Sequence, residues 1–250
     1  MFTFLDHAVG HVTSHRTRKL LFLMAIAFFS LLTTARAQVT IDAIVPADQG
    51  PKKTSVATGA FSTSSGNELL LAFISADNTS RTNVTVNSVS GAGLTWVRVI
   101  RTNVQRGTAE IWRAFAPSAL TNVTVTAALS QSVSSSMTVM SFSGVDTTGT
   151  NGSGAIGATG TGNASAGAPT ATLKTTRNNS LVVGVGTDWD NAILRTPGPN
   201  QTVVHQFLAP VGDTYWVQRR NSVTPFSGTS VTINDTDLIP AEESESLAGG

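Results

Sequence analysis

The sequence predicts an all-β fold, an antiparallel β-sandwich of jelly-roll-like architecture. Three observations carry that expectation. Short β-branched runs recur along the chain, separated by clusters of Gly, Asn, Pro and Ser. No long segment shows a 3.6-residue apolar period, and the helix formers Lys, Glu and Gln are scarce. The 250 residues include no cysteine, so an exported domain must be held by its apolar core alone.

Residues 1–37 read as a signal peptide. Arg16, Arg18 and Lys19 flank thirteen mostly apolar residues at 20–32, and Ala35-Arg36-Ala37 supplies a small-x-small cleavage pattern before Gln38. That apolar run is short for a bilayer span, which needs about 20 residues. The expected location is secreted or at the cell surface, with no membrane attachment after cleavage. Of 16 basic and 15 acidic residues, the leader holds four (Arg16, Arg18, Lys19, Arg36) and one (Asp6), leaving 12 against 14. A balance so near neutral offers no basic field to nucleic acid or anionic lipid.

The strands are expected at 39–45, 54–61, 69–75, 84–89, 94–101, 108–116, 123–129, 136–142, 170–175, 181–187, 202–208, 214–220 and 230–233. Leu69-Leu70-Leu71-Ala72-Phe73-Ile74 is apolar on both faces and reads as a central strand, as does Leu181-Val182-Val183-Gly184-Val185. Val123-Thr124-Val125-Thr126 alternates, as a half-exposed strand should. Gly, Thr, Ala, Asn and Ser fill 144–168, which reads as a long surface connection within one domain over 38–236.

A faint internal repeat supports the single domain. Asn67-Glu68-Leu69-Leu70-Leu71 resembles Asn179-Ser180-Leu181-Val182-Val183. Gly107-Thr108-Ala109-Glu110-Ile111-Trp112 resembles Gly212-Asp213-Thr214-Tyr215-Trp216, and Asn122-Val123-Thr124-Val125 resembles Ser230-Val231-Thr232-Ile233. Chance likeness among Val- and Thr-rich strands is the competing explanation. If the repeat holds, two similar halves pack together, and the second lacks a counterpart of 136–142. The expectation is then a last strand absent from the chain, followed by an acidic, disordered tail at 237–250. An absent strand leaves an open sheet edge, which invites pairing with another chain.

Several stretches resemble a known module: Gly93-Leu94-Thr95-Trp96, Arg101-Thr102-Asn103, residues 107–114, Ser141-Phe142-Ser143-Gly144-Val145-Asp146 and Val231-Thr232-Ile233-Asn234-Asp235-Thr236. The chain is similar over most of 39–236 to an uncharacterised β-sandwich module of secreted and cell-surface bacterial proteins, often found beside fibronectin-III-like or immunoglobulin-like modules. The resemblance implies a structural or adhesive unit with no catalytic residues, whose relatives end in one further strand.

Candidate sites follow from residue chemistry. Asp188-Trp189-Asp190-Asn191 follows an apolar strand. Its carboxylates and amide suit Ca²⁺ or sugar hydroxyls, and Trp189 suits a sugar ring. A plain turn is the alternative. Trp112 shares its strand face with Thr108 and Glu110, and Trp216 with Thr214, Gln218 and Arg220. Such a face either meets a pyranose or, as large aromatics commonly do, belongs to the core. Gly152-Ser153-Gly154-Ala155-Ile156-Gly157 spells a dinucleotide fingerprint but has no helix after it and no acidic residue about 20 positions on. His205 alone remains after cleavage, so a histidine zinc site is excluded, and no Gly-x-Ser-x-Gly elbow exists. It reads as a strand residue on a solvated face. Glu68, Glu110, Asp77, Asp146 and Asp213 supply carboxyls for a glycosidase pair, yet nothing selects two of them. The expected role is a non-catalytic surface or matrix module binding polysaccharide or protein, with no cofactor unless Ca²⁺. A carbohydrate-active enzyme (hydrolase or lyase) and a structural spacer are the alternatives.

Overall fold

A computed structural model describes residues 38–79 and 82–237. Residues 1–37, expected to be a signal peptide, lie outside them, as does the expected acidic tail except for Asp237, which ends the last strand. Twelve strands form the described chain: β1 (Thr40–Ala57), β2 (Glu68–Ala76), β3 (Val86–Gly91), β4 (Val97–Thr102), β5 (Thr108–Ala116), β6 (Val125–Ser143), β7 (Thr170–Lys174), β8 (Val183–Asp188), β9 (Arg195–Pro197), β10 (Gln201–Ala209), β11 (Asp213–Arg220) and β12 (Ser230–Asp237). Every pairing is antiparallel, and no α-helix occurs among the described residues. The fold is all-β.

The first half forms one sheet in the order β1-β6-β2-β5-β4, with β3 also laddered to β6. The second half forms two sheets, β10-β11-β8 and β7-β12-β9. Strand alternation builds two cores. On one face of β2, Leu70, Ala72, Ile74 and Ala76 meet Val86, Trp112, Val125, Met137 and Val139. On its other face, Leu69, Leu71 and Phe73 meet Met140, Phe142 and Val217, with Val183, Val185 and Val204 packed against them. The second core joins the two halves.

Two pairs of expected strands are single long ones. Pro46, Gly50 and Pro51 look like breakers, but β1 runs through them, with register shifts between Gln49 and Lys53 and between Lys53 and Ser55. Bulges of this kind bend a strand while keeping it paired. The polar run Ser130-Gln131-Ser132 likewise lies inside β6, whose first part ladders with β3 and second part with β2. β9 was not foreseen: a three-residue strand ending in proline carries almost no sequence signal.

The repeat has structural counterparts. Asn67 and Asn179 both adopt φ 57°. The short strands β3 and β9 pair with β6 and β12, respectively. Val86 N–H donates to Glu110 on β5, and Ile193 N–H donates to Thr214 on β11. Trp112 lies opposite Ala72 and Trp216 opposite Gly186. That last correspondence is displaced by two residues from the match at Leu69 and Leu181. An even displacement leaves the strand faces unchanged.

The expectation that 181–187 is a central strand is corrected. β2 sits between β5 and β6, whereas β8 ladders with β11 alone among the described residues. Its apolar pattern arises because it is sandwiched face-on, with Val183 and Val185 against the second core. Burial of both faces does not require partners on both edges.

Candidate functional site

The open side of β8 borders a cleft of about 330 Å³. One wall is β8 with Trp216 and Gln218 of β11. Another is formed by Leu173, Val231, Ile233 and Asp235 of the β7-β12-β9 sheet and neighbouring residues 160–167. Ile100, Ala109 and Ile111 of the first half close a third side. The cleft exists because the second half is underfilled. Where β2 presents Leu70, Ala72 and Ile74 to an interior, β8 presents Gly184 and Gly186. A Cβ on Gly186 would sit 2.2 Å from Trp216 Cζ2, so the indole lies directly on the glycine backbone.

Charged groups are buried here, and they are paired. Arg195 is 5% exposed. Its guanidinium donates to the Asp188 carboxylate, lies 3.7 Å from Asp235 and stacks 4.8 Å from the Trp216 ring centroid. Two carboxylates around one guanidinium satisfy the rule that a buried charge needs a partner. Gln218 is 2% exposed and donates to Gln201 Oε1 at 3.3 Å and the Asn234 carbonyl at 3.2 Å. Its own Oε1 is buried without a hydrogen-bond partner. The Thr187 hydroxyl is also buried and unpartnered. Such orphans cost about 1–3 kcal/mol each.

Four expected site residues line the cleft together: Asp188, Trp189, Asp190 and Asn191. Asp190 accepts from the Asn191 amide at 3.1 Å, its N–H donates to Asp188 Oδ1 at 3.2 Å, and the Arg106 guanidinium lies 5.0 Å from the Trp189 ring centroid. Trp216 joins them. Trp112 does not: it lies in the first core, where its indole N–H donates to Glu110 Oε2 at 3.0 Å. The polar face it shares with Thr108 and Glu110 is buried, not solvated. Among the described residues, no group of three or more His, Asp or Glu is placed to hold a metal ion.

Sequence reasoning passed over Arg195, Arg106 and the role of Gln218. Gln218 was visible as a polar neighbour of Trp216 on alternating β11. Arg195 and Arg106 carry no local signal, because their partners come from elsewhere in the chain.

The remaining carboxyls are dispersed. Glu110 accepts from Val86 N–H, Arg101 Nε, Thr108 Oγ1 and Trp112 Nε1. Burial pushes the Asp213 carboxyl up to about 6, opposed by the hydrogen bond from Tyr215 and reinforced by Asp77 and Asp190. Tyr215 donates to Asp213 at 2.6 Å, and its own phenol is raised by burial first. Burial, then the charge of Asp42, raises Glu68. Hydrogen bonds from Thr148 and Arg177 lower surface Asp146 to about 2. His205 is half-buried on β10, with Nε2 2.9 Å from the Asp48 carboxylate, rather than on a fully solvated face. Residues 152–157 form a turn with a single 3₁₀ segment, Ser153–Ala155, and no pyrophosphate-binding helix. No family model, curated protein or solved structure matches the chain.

Proposed function

We propose that this chain is an exported, non-catalytic binding module and that the β8 cleft is its recognition site. The observation that carries the reading is a partly apolar cleft walled by Trp216 and Ile233, with the orphaned Gln218 Oε1 on the same β11 face as Trp216. Ligand sites are typically apolar concavities with a few placed polar groups. The cleft carboxylates Asp188 and Asp235 are engaged by Arg195, which suits recognition better than acid–base chemistry. The carboxyl raised to about 6, Asp213, does not line the cleft.

Protein is favoured over polysaccharide as the ligand. A sugar-binding tryptophan needs a free, exposed ring face; Trp216 has both the Arg195 guanidinium and the Gly186 backbone against its ring, and Trp189 has Arg106 over one face. Trp216 is also only 3% exposed.

Random peptides displayed on phage and a glycan array, each probed with the chain and with Trp189→Ala, test this reading. Enrichment of peptides that is lost in the variant is expected. Glycan binding lost in the variant would transfer the module to the polysaccharide reading. No cleft-dependent binding of either kind would leave a structural spacer.

A further inference from the structure

We infer that the cleft takes an extended polypeptide strand from another chain, which adds antiparallel to the open edge of β8. This rests on the binding-module reading and specifies its partner. The first support is the edge itself. Arg220 N–H donates to the Val182 carbonyl at 2.9 Å, and the same register continues from Val183 opposite Arg219 to Asp188 opposite Thr214. Residues of an antiparallel strand alternate in the side to which they turn N–H and C=O. Val183, Val185 and Thr187 therefore turn theirs away from β11, where no described strand ladders with them. Strand addition to such an edge is a recurring mode of peptide recognition.

The second support is the first half of the same chain. The equivalent edge of β2 is covered by β6, antiparallel, from Leu69 opposite Phe142 to Ala76 opposite Ser135. There Met137 and Val139 enter one core while Met140 and Phe142 enter the other. A strand beside β8 would alternate likewise, one set of side chains beside Trp216 and Ile233, the other toward Ile111.

The third support is chemical. A hydroxyl or amide on the inward face would donate to Gln218 Oε1, which is 98% buried with its residue and unpartnered. The cleft lining sets Asp188, Asp190 and Asp235 against Arg106 and Arg195, and this one-charge acidic excess favours a neutral or basic segment over an acidic one. The chain's own 238–250 is poorly suited: Pro240 lacks a ladder donor, and Glu242, Glu243 and Glu245 would face those aspartates. The occupant we assign is a neutral-to-basic, alternately apolar strand supplied by another chain.

The probe is a synthetic peptide with the sequence of residues 134–143, Ser-Ser-Ser-Met-Thr-Val-Met-Ser-Phe-Ser, extended by two lysines. Residue-resolved hydrogen exchange of the purified chain is measured with and without it. Expected are at least tenfold slower exchange at the amides of Val183, Val185 and Thr187, and, of two peptides N-methylated at alternate residues in the two possible phases, at least tenfold weaker binding by the one whose methyls fall on the N–H groups turned toward β8. That peptide keeps the side chains but cannot donate to the edge. Unaltered exchange at those amides, or undiminished affinity of both methylated peptides, overturns the inference. So does full protection before peptide is added, which would mean the edge is covered within the chain. Cleft ligands sensitive to Trp189→Ala that leave these amides exchanging would sink strand addition while leaving the binding module standing.

Discussion

Glu110→Gln should destabilise the first half by about 3 kcal/mol. The carboxylate is fully buried and accepts four hydrogen bonds from three strands and their flanks: Val86 N–H at 2.8 Å, Arg101 Nε at 2.6 Å, Thr108 Oγ1 at 3.3 Å and Trp112 Nε1 at 3.0 Å. All four partners are donors. An amide keeps one acceptor oxygen and turns an NH₂ against the rest. It also removes the charge opposite Arg101, whose side chain is 21% exposed. Breaking a buried pair by deleting one partner costs about 3–5 kcal/mol. The lower figure applies because Arg101 still reaches solvent and still donates to the Val86 carbonyl at 3.0 Å. For a domain of this size, about 3 kcal/mol lowers Tm by roughly 6–12 °C. Urea unfolding followed by circular dichroism gives the free energy, and indole fluorescence reports Trp112 directly. Adding Arg101→Leu to Glu110→Gln should recover part of the loss, since the unpaired charge goes with it. A loss below about 1 kcal/mol in the single variant would refute the claim that Glu110 ties β3 and β4 to β5.

Gly186→Ala should cost about 1–3 kcal/mol, because the new Cβ collides with a buried indole that also packs against Arg195; Trp216 emission and urea midpoints would register it. Asp213 makes stability fall as pH rises. Its folded-state value of about 6 lies above the ordinary 3.8, so its contribution is complete below 3.8 and gone above about 6. The ceiling is roughly 3 kcal/mol, and Asp213→Asn should flatten that part of the stability profile between pH 4 and 6. Tyr215→Phe removes the hydrogen bond that opposes the rise, so the midpoint should move upward in a carboxyl titration by NMR. Trp189→Ala, at the half-buried cleft mouth, should leave the melting temperature nearly unchanged while reducing ligand capture.

The fold was legible where periodicity and chemistry coincide. β5 runs over the residues expected, and β2 exceeds its expected span by one residue at each end, because an apolar run flanked by Asn67 and Asp77 has one sensible assignment. Pro46, Gly50 and Pro51 misled because sequence grammar treats breakers as ends, while the long paired strand carries Pro46 in regular register opposite Thr138 and absorbs Gly50 and Pro51 in a bulge. The polar run in β6 misled for a related reason. Ser134 donates its hydroxyl to the Gly50 carbonyl at 2.6 Å, so a serine stretch is a strand because its partner, far off in sequence, supplies the acceptors.

The site was half legible, and the division is physical. Asp188 to Asn191 could be found because Asp, Trp and Asn directly after an apolar strand are a local pattern. The cleft beside them could not, since a cavity is a difference between two packings. In the first half, Leu70, Ala72 and Ile74 fill an interior that β6 also enters with Met137 and Val139. In the second, glycines take the corresponding face of β8, Gln218 brings a polar group into the interior, and Arg195 needs Asp188 and Asp235 to be buried at all. Each of those substitutions would be a defect in a filled core. Together, beside a strand edge whose amides face the same space, they describe a half-core that another strand would complete with side chains as well as hydrogen bonds. A partner recognised this way should therefore be selected on both alternations, inward residues by Trp216 and Gln218 and outward ones by Ile111, and not by backbone pairing alone.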